Sequence, residues 1–109
     1  MSIDVKSLTD TMIGGVRKAV GQRWPAIRAL AETELGKVAQ TIRDVQQMVA
    51  RGEITADRAQ EYVEMQRNHA LSVLITVKGI GLLTAREALD AAARAIGPVK
   101  AHFKAGKDI

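Results

Sequence analysis

Apolar positions in the first part of the chain recur at helical spacing. Val5, Leu8, Met12, Val16 and Val20 are separated by three, four, four and four residues, and Ile13 widens the stripe. That period predicts an amphipathic helix over 5–20, with Asp4 placed to cap it. Gly14–Gly15 interrupts it at about 1 kcal/mol per glycine relative to alanine, so the segment is expected to dock loosely. Trp24 and Pro25 open a second helix, proline being harmless in a first turn, and Trp24 is expected to pack at the hinge between the two. The second stripe, Ile27, Ala31, Leu35, Val38, Ile42, Val45 and Val49, approaches a heptad seam. Arg28, Glu32, Lys37, Arg43 and Asp44 fall on the opposite face, and Gly52 can take the left-handed position that ends a helix. Thr55 then offers a new N-cap, Asp57 suits the first turn, and Ile54 can staple onto the helix that follows. A connection this short makes its two helices antiparallel neighbours.

The third periodic stretch begins at Ala56 and passes through Ala59, Tyr62, Val63, Gln66, Ala70 and Leu74 to Val77. Its end is β-branched enough to suggest a strand, but no second strand exists to pair with it. Gly79 and Gly81 follow, then an alanine-rich helical stretch, Leu82–Ile96, closed by Gly97–Pro98. Val99–Ile109, with Lys100, Lys104 and Lys107, reads as a last turn and a basic, frayed tail. The expected architecture is all-α, a small helical bundle formed by a long antiparallel helical hairpin with shorter flanking helices. It divides into an N-terminal amphipathic helix (1–22), a hairpin core (24–97) and a basic tail (98–109). Between 70 and 96 the apolar residues do not fit one stripe, and a helix apolar on several faces needs cover on several faces. A second copy of the chain would supply it, so a homo-oligomer is expected, with Leu71, Leu74, Ile75, Leu82, Leu83 and Leu89 as candidate interface residues.

Composition narrows the field. One domain fits 109 residues, 47% apolar content suffices for a core, and 17 alanines with 3% aromatics (Trp24, Tyr62, Phe103) suit closely packed helices. Without cysteine there are no disulfides, thiolate metal sites or cysteine nucleophiles. The opening residues lack a basic start followed by an apolar stretch, so no signal peptide is read there. The longest uncharged run, 68–77, is far below the roughly 20 residues of a spanning helix, and a cytoplasmic location is expected. Net charge is +4, with the basic excess in residues 1–23 and 78–109 and a slightly acidic stretch over 53–77. As a basic amphipathic helix carrying Lys6, Arg17 and Lys18, the first segment also allows association with a membrane surface.

One short segment carries chemistry. Val77-Lys78-Gly79-Ile80-Gly81-Leu82-Leu83-Thr84-Ala85-Arg86-Glu87-Ala88-Leu89 resembles the helix-hairpin-helix DNA-binding motif, with Val77, Gly79, Ile80, Gly81, Thr84, Ala85 and Leu89 at matching positions. The resemblance implies backbone amides at a helix start turned toward a nucleic-acid phosphate, without reading of sequence. Lys78, Gly79, Gly81 and Arg86 are the candidate contacts. The two positions after the glycines, usually polar or basic in that family, are Leu82 and Leu83 here. The opposing reading places both glycines in one helix from Ala56 to Ile96, 41 residues long, where with Ser72, Thr84, Ala85, Ala88, Ala92 and Ala95 they allow close approach of another helix. The packed reading is favoured, because a turn would leave both leucines exposed on its tip.

Catalytic machinery is not legible. Ser2, Ser7, Ser72, His69 and His102 stand in no nucleophile–base arrangement. Glu61 and Glu64 precede His69 by eight and five residues, the wrong spacing for a carboxylate-bridged dimetal site in a bundle. Counting back across the turn at Gly52 instead sets Glu34 opposite His69, as a buried or half-buried pair. Met12, Met48 and Met65 read as core filler. The expectation is a non-catalytic structural or interaction protein without cofactor, metal or small-molecule substrate. Contact with the DNA backbone is the first alternative and membrane-surface association the second.

Overall fold

A computed structural model describes residues 4–99 and 101–103. Four helices, α1 (Val5–Val20), α2 (Trp24–Ala50), α3 (Ala56–Leu74) and α4 (Gly81–Ile96), form an all-α bundle. Helical backbone continues from Val5 to Ala50 through one 3₁₀ turn, Gly21–Arg23, yet the direction reverses there. Gly21, at φ 55°, makes the reversal possible. Neighbouring helices run antiparallel, as the contacts across them show: Gly15 lies against Ala91 and Ala95 while Arg23 reaches Thr84. Likewise Glu34 faces His69 across α2 and α3, and Arg67 pairs with Asp90 across α3 and α4. The long axis of 43 Å follows from α2, whose 27 residues span about 40 Å.

The caps read from sequence are in place. Asp4 Oδ1 accepts from the Ser7 amide at 3.2 Å, and Thr55 Oγ1 accepts from the Arg58 amide at 3.1 Å. Gly52 adopts φ 74° at the end of the α2–α3 connection's first turn. The Arg51 guanidinium bonds Glu53 beside it, which lowers the Glu53 pKa from its ordinary value. Along α2, the expected seam from Ile27 to Val45 is buried, together with Glu34, Ala39 and Gln46. The buried arc is wider than one stripe because α2 packs against both α1 and α3.

Two expectations about the chain's ends change. Helix α1 does not dock loosely: Leu8, Met12, Val16 and Val20 are all buried, and the helix passes unbroken through Gly14 and Gly15. A Cβ added at Gly15 would sit 2.7 Å from the Ala91 carbonyl oxygen, whereas Gly14 faces open space. Close helix approach through a small residue does occur, but at Gly15 and not at the pair after Lys78. The apolar face of α1 is turned into the bundle. At the other end, Val99 and 101–103 are helical, His102 Nε2 lies 2.9 Å from the Ile96 carbonyl oxygen, and Phe103 is buried in the core. That part of the supposed tail is therefore core; Lys100, Lys104 and Lys107 lie outside the described residues.

Candidate functional site at one pole of the bundle

The favoured single helix from Ala56 to Ile96 is not what forms. Helix α3 stops at Leu74 and the chain turns over 75–80 before α4 begins. Val73, Ile75, Thr76 and Val77 are β-branched and hold a helix weakly. The last amides bond three residues back, Thr76 to Val73 and Val77 to Leu74, tightening the end of the helix. Gly79 and Gly81 then take φ 88° and 69°, outside any right-handed helix, with open space where a Cβ would stand. The glycines serve the turn and pack against nothing. Between them Ile80 points inward and is buried, as are Ala85 and Leu89 in α4, so the turn is pinned to the core.

The turn leaves α4 with a bare start. Its N-cap residue, Ile80, supplies no side-chain hydrogen bond, and the first turn contains no acidic residue. Helices α1 and α3, by contrast, begin on Asp4 and Thr55. The amides that open α4 therefore lack a side-chain acceptor.

The candidate interface residues divide. Leu74 and Leu89 are 2% and 4% exposed and belong to this chain's own core, so neither can meet a second copy. Leu71 is half-buried against that core. Ile75, Leu82 and Leu83 are 45%, 49% and 76% exposed, on the turn and the first turn of α4. The excess apolar surface expected of 70–96 is thus mostly covered within one chain, by α1 and α3 packing on α4 and by the inward Ile80.

The bundle topology adds what the motif lacked. The reversal at 21–23 lies at the same pole as the 75–80 turn, tied to it by Arg23 Nη1 donating to Thr84 Oγ1 at 2.7 Å. Segments 17–28 and 73–86 together carry Arg17, Lys18, Arg23, Arg28, Lys78 and Arg86, and no carboxylate. Among the described residues only Arg28 of these six is ion-paired, to Glu32 at 2.8 Å. Elsewhere Lys6, Lys37, Arg43, Arg51, Arg58 and Arg67 each meet a carboxylate, and Arg94 near the end of α4 meets none among the described residues. Lys78 is exposed on the turn, whereas Arg86 stands further back, lining the α3–α4 groove with Arg67, Asn68 and Asp90. Trp24 is half-buried at this pole, with the Arg17 guanidinium 5.8 Å from its ring centroid. Sequence reasoning missed Arg17, Lys18 and Arg23 as partners of the turn; their one visible signal was a cationic stretch, 17–28, without acids.

Away from the pole, Glu34 is the notable polar group. Its carboxylate is 3% exposed, lies 3.1 Å from Lys37 Nζ and 3.6 Å from His69 Nε2, and leaves Oε1 without a hydrogen bond. The pairing with His69 is the one expected from counting across the turn. No group of three or more metal-ligating side chains converges among the described residues, nor is any described helix long and apolar enough to cross a membrane. A mostly apolar, partly open pocket of about 100 Å³ is lined by Met12, Leu35, Ile42, Val63 and Leu89, with Gln60, Glu64 and Arg67 also on its wall. No protein-family model, curated protein or solved structure matches the chain.

Proposed function

We propose that this protein is a non-catalytic binding module that engages phosphate-bearing partners through the pole formed by 17–28 and 73–86. The observation that carries this reading is the gathering of Arg17, Lys18, Arg23 and Lys78 about the two turns at this pole, none of them ion-paired among the described residues. Like charges gathered without partners raise the local potential and draw in a polyanion. The uncapped start of α4 and the open glycine turn add amide donors at the same place. The likeness of 77–89 to a helix-hairpin-helix supports the same chemistry.

Retention on immobilised heparin tests it. The double variant Arg23→Glu, Lys78→Glu should elute at much lower salt than the wild type. Lys6→Glu, Arg51→Glu, with the same change in net charge away from the pole, should elute close to the wild type once the shared charge change is allowed for. Equal loss in both pairs means that net charge and not the pole is responsible, and the reading fails.

Self-association is the competing reading, now supported by Ile75, Leu82 and Leu83 alone. It expects a dimer or larger species in light scattering that Leu83→Asp converts to monomer.

A further inference from the structure

The tip of this pole is not only charged. Three of the four exposed large apolar side chains in the described structure, Ile75, Leu82 and Leu83, stand there among the unpaired cations, and the fourth, Met65, lies away on α3. A nucleic-acid backbone would give those leucines no apolar partner and would strip water from the phosphates beside them. A second copy fits little better. Three side chains fall well short of the about 800 Å² per partner of a standard interface. A two-fold contact through this tip would also bring the cationic poles of the two copies together.

A bilayer with anionic headgroups meets both demands at once, since its phosphates lie directly above an apolar layer. Trp24, half-buried at the same pole, is the residue type that settles at headgroup level. We infer that the pole docks on an anionic lipid surface, with Ile75, Leu82 and Leu83 entering below the headgroups and Arg17, Lys18, Arg23 and Lys78 resting among their phosphates. This rests on the phosphate-binding reading above and narrows it to one partner. It also places lipid contact at the opposite end of α1 from the chain start, and on different residues from the buried stripe of that helix.

Co-sedimentation of the full chain with vesicles tests it. Vesicles of phosphatidylcholine and phosphatidylglycerol should carry the protein down at low salt, and phosphatidylcholine alone should not. Trp24, the chain's single tryptophan, should shift its emission to the blue on binding. Leu82→Gln, Leu83→Gln, which adds no charge at the pole, should weaken vesicle binding by about tenfold or more while leaving heparin retention and helical circular dichroism as in the wild type. Both leucines are exposed, so the core is untouched. Lys78→Glu should weaken both kinds of binding. Heparin retention without vesicle binding overturns the lipid inference and leaves the polyanion reading standing; loss of neither activity in the leucine variant also overturns it. Failure of the wild type on heparin and vesicles alike overturns both, and a dimer broken by the leucine variant without vesicle binding assigns the tip to a second copy.

Discussion

Adjacent glycines in α1 allow the close approach of α1 and α4 to be measured against an internal control. Gly14 and Gly15 occupy the same helix, so replacing either by alanine gains about 1 kcal/mol of helix propensity. At Gly14 nothing lies within 4 Å of the new Cβ, and the gain should appear in full. At Gly15 the Cβ meets the Ala91 carbonyl oxygen at 2.7 Å, Ala91 carbon at 3.2 Å and Ala95 Cβ at 3.1 Å. Backbone atoms of a packed helix cannot swing aside, so α1 and α4 must separate, at a cost of roughly 1–3 kcal/mol for overpacking. The net effect of Gly15→Ala runs from no change to a loss of about 2 kcal/mol. Because the propensity gain cancels between the variants, their difference isolates the steric cost. At roughly 4 °C per kcal/mol for a chain of this size, thermal melts followed by circular dichroism should place Gly14→Ala about 4–12 °C above Gly15→Ala. Equal shifts in the same direction would refute the close approach.

Other positions give further tests. Gly81→Ala should lower Tm, since a β-carbon at φ 69° costs about 1–2 kcal/mol, and Gly81→Asn should lower it less. Thr55→Ala removes the α3 cap and should cost about 1 kcal/mol in urea unfolding, with an unchanged m-value. Glu34→Leu should hold or raise Tm, because it removes a buried carboxylate with an unbonded oxygen and leaves only the exposed His69 and Lys37 behind. The lowered Glu53 pKa contributes stability above the usual carboxylate range that is lost as pH falls through the lowered value. Both partners of that pair are exposed to solvent, so Glu53→Gln should flatten the acid side of the Tm–pH profile less than Thr55→Ala shifts the whole of it.

What the sequence made legible was local. Caps at Asp4 and Thr55, the α2 seam and the Glu34–His69 meeting all follow from spacing along one helix or across one short turn. The break after Leu74 did not, because apolar residues continue on both sides of it and a glycine's backbone sign is invisible in a one-letter string. Gly14 and Gly15 are likewise indistinguishable until α4 is laid against one of them. Phe103 was read as part of a basic tail because its lysine neighbours hid an anchor that the fold buries. The candidate pole was legible by halves. The 77–89 segment stood out alone, while 17–28 gained meaning only when the bundle set residues 61 apart, Arg23 and Thr84, within hydrogen-bond distance.

The antiparallel pairing of α1 with α4 fixes where an attachment would stand. Val5 and Ile96, the outer ends of α1 and α4, stand about 24 Å from the pole, part way down a rod 43 Å long whose far end is the α2–α3 connection. A segment joined ahead of Val5 would therefore start about one α1 length from the pole. Under the proposed function, the length of α1 sets how far such a segment stands from the surface that the pole meets.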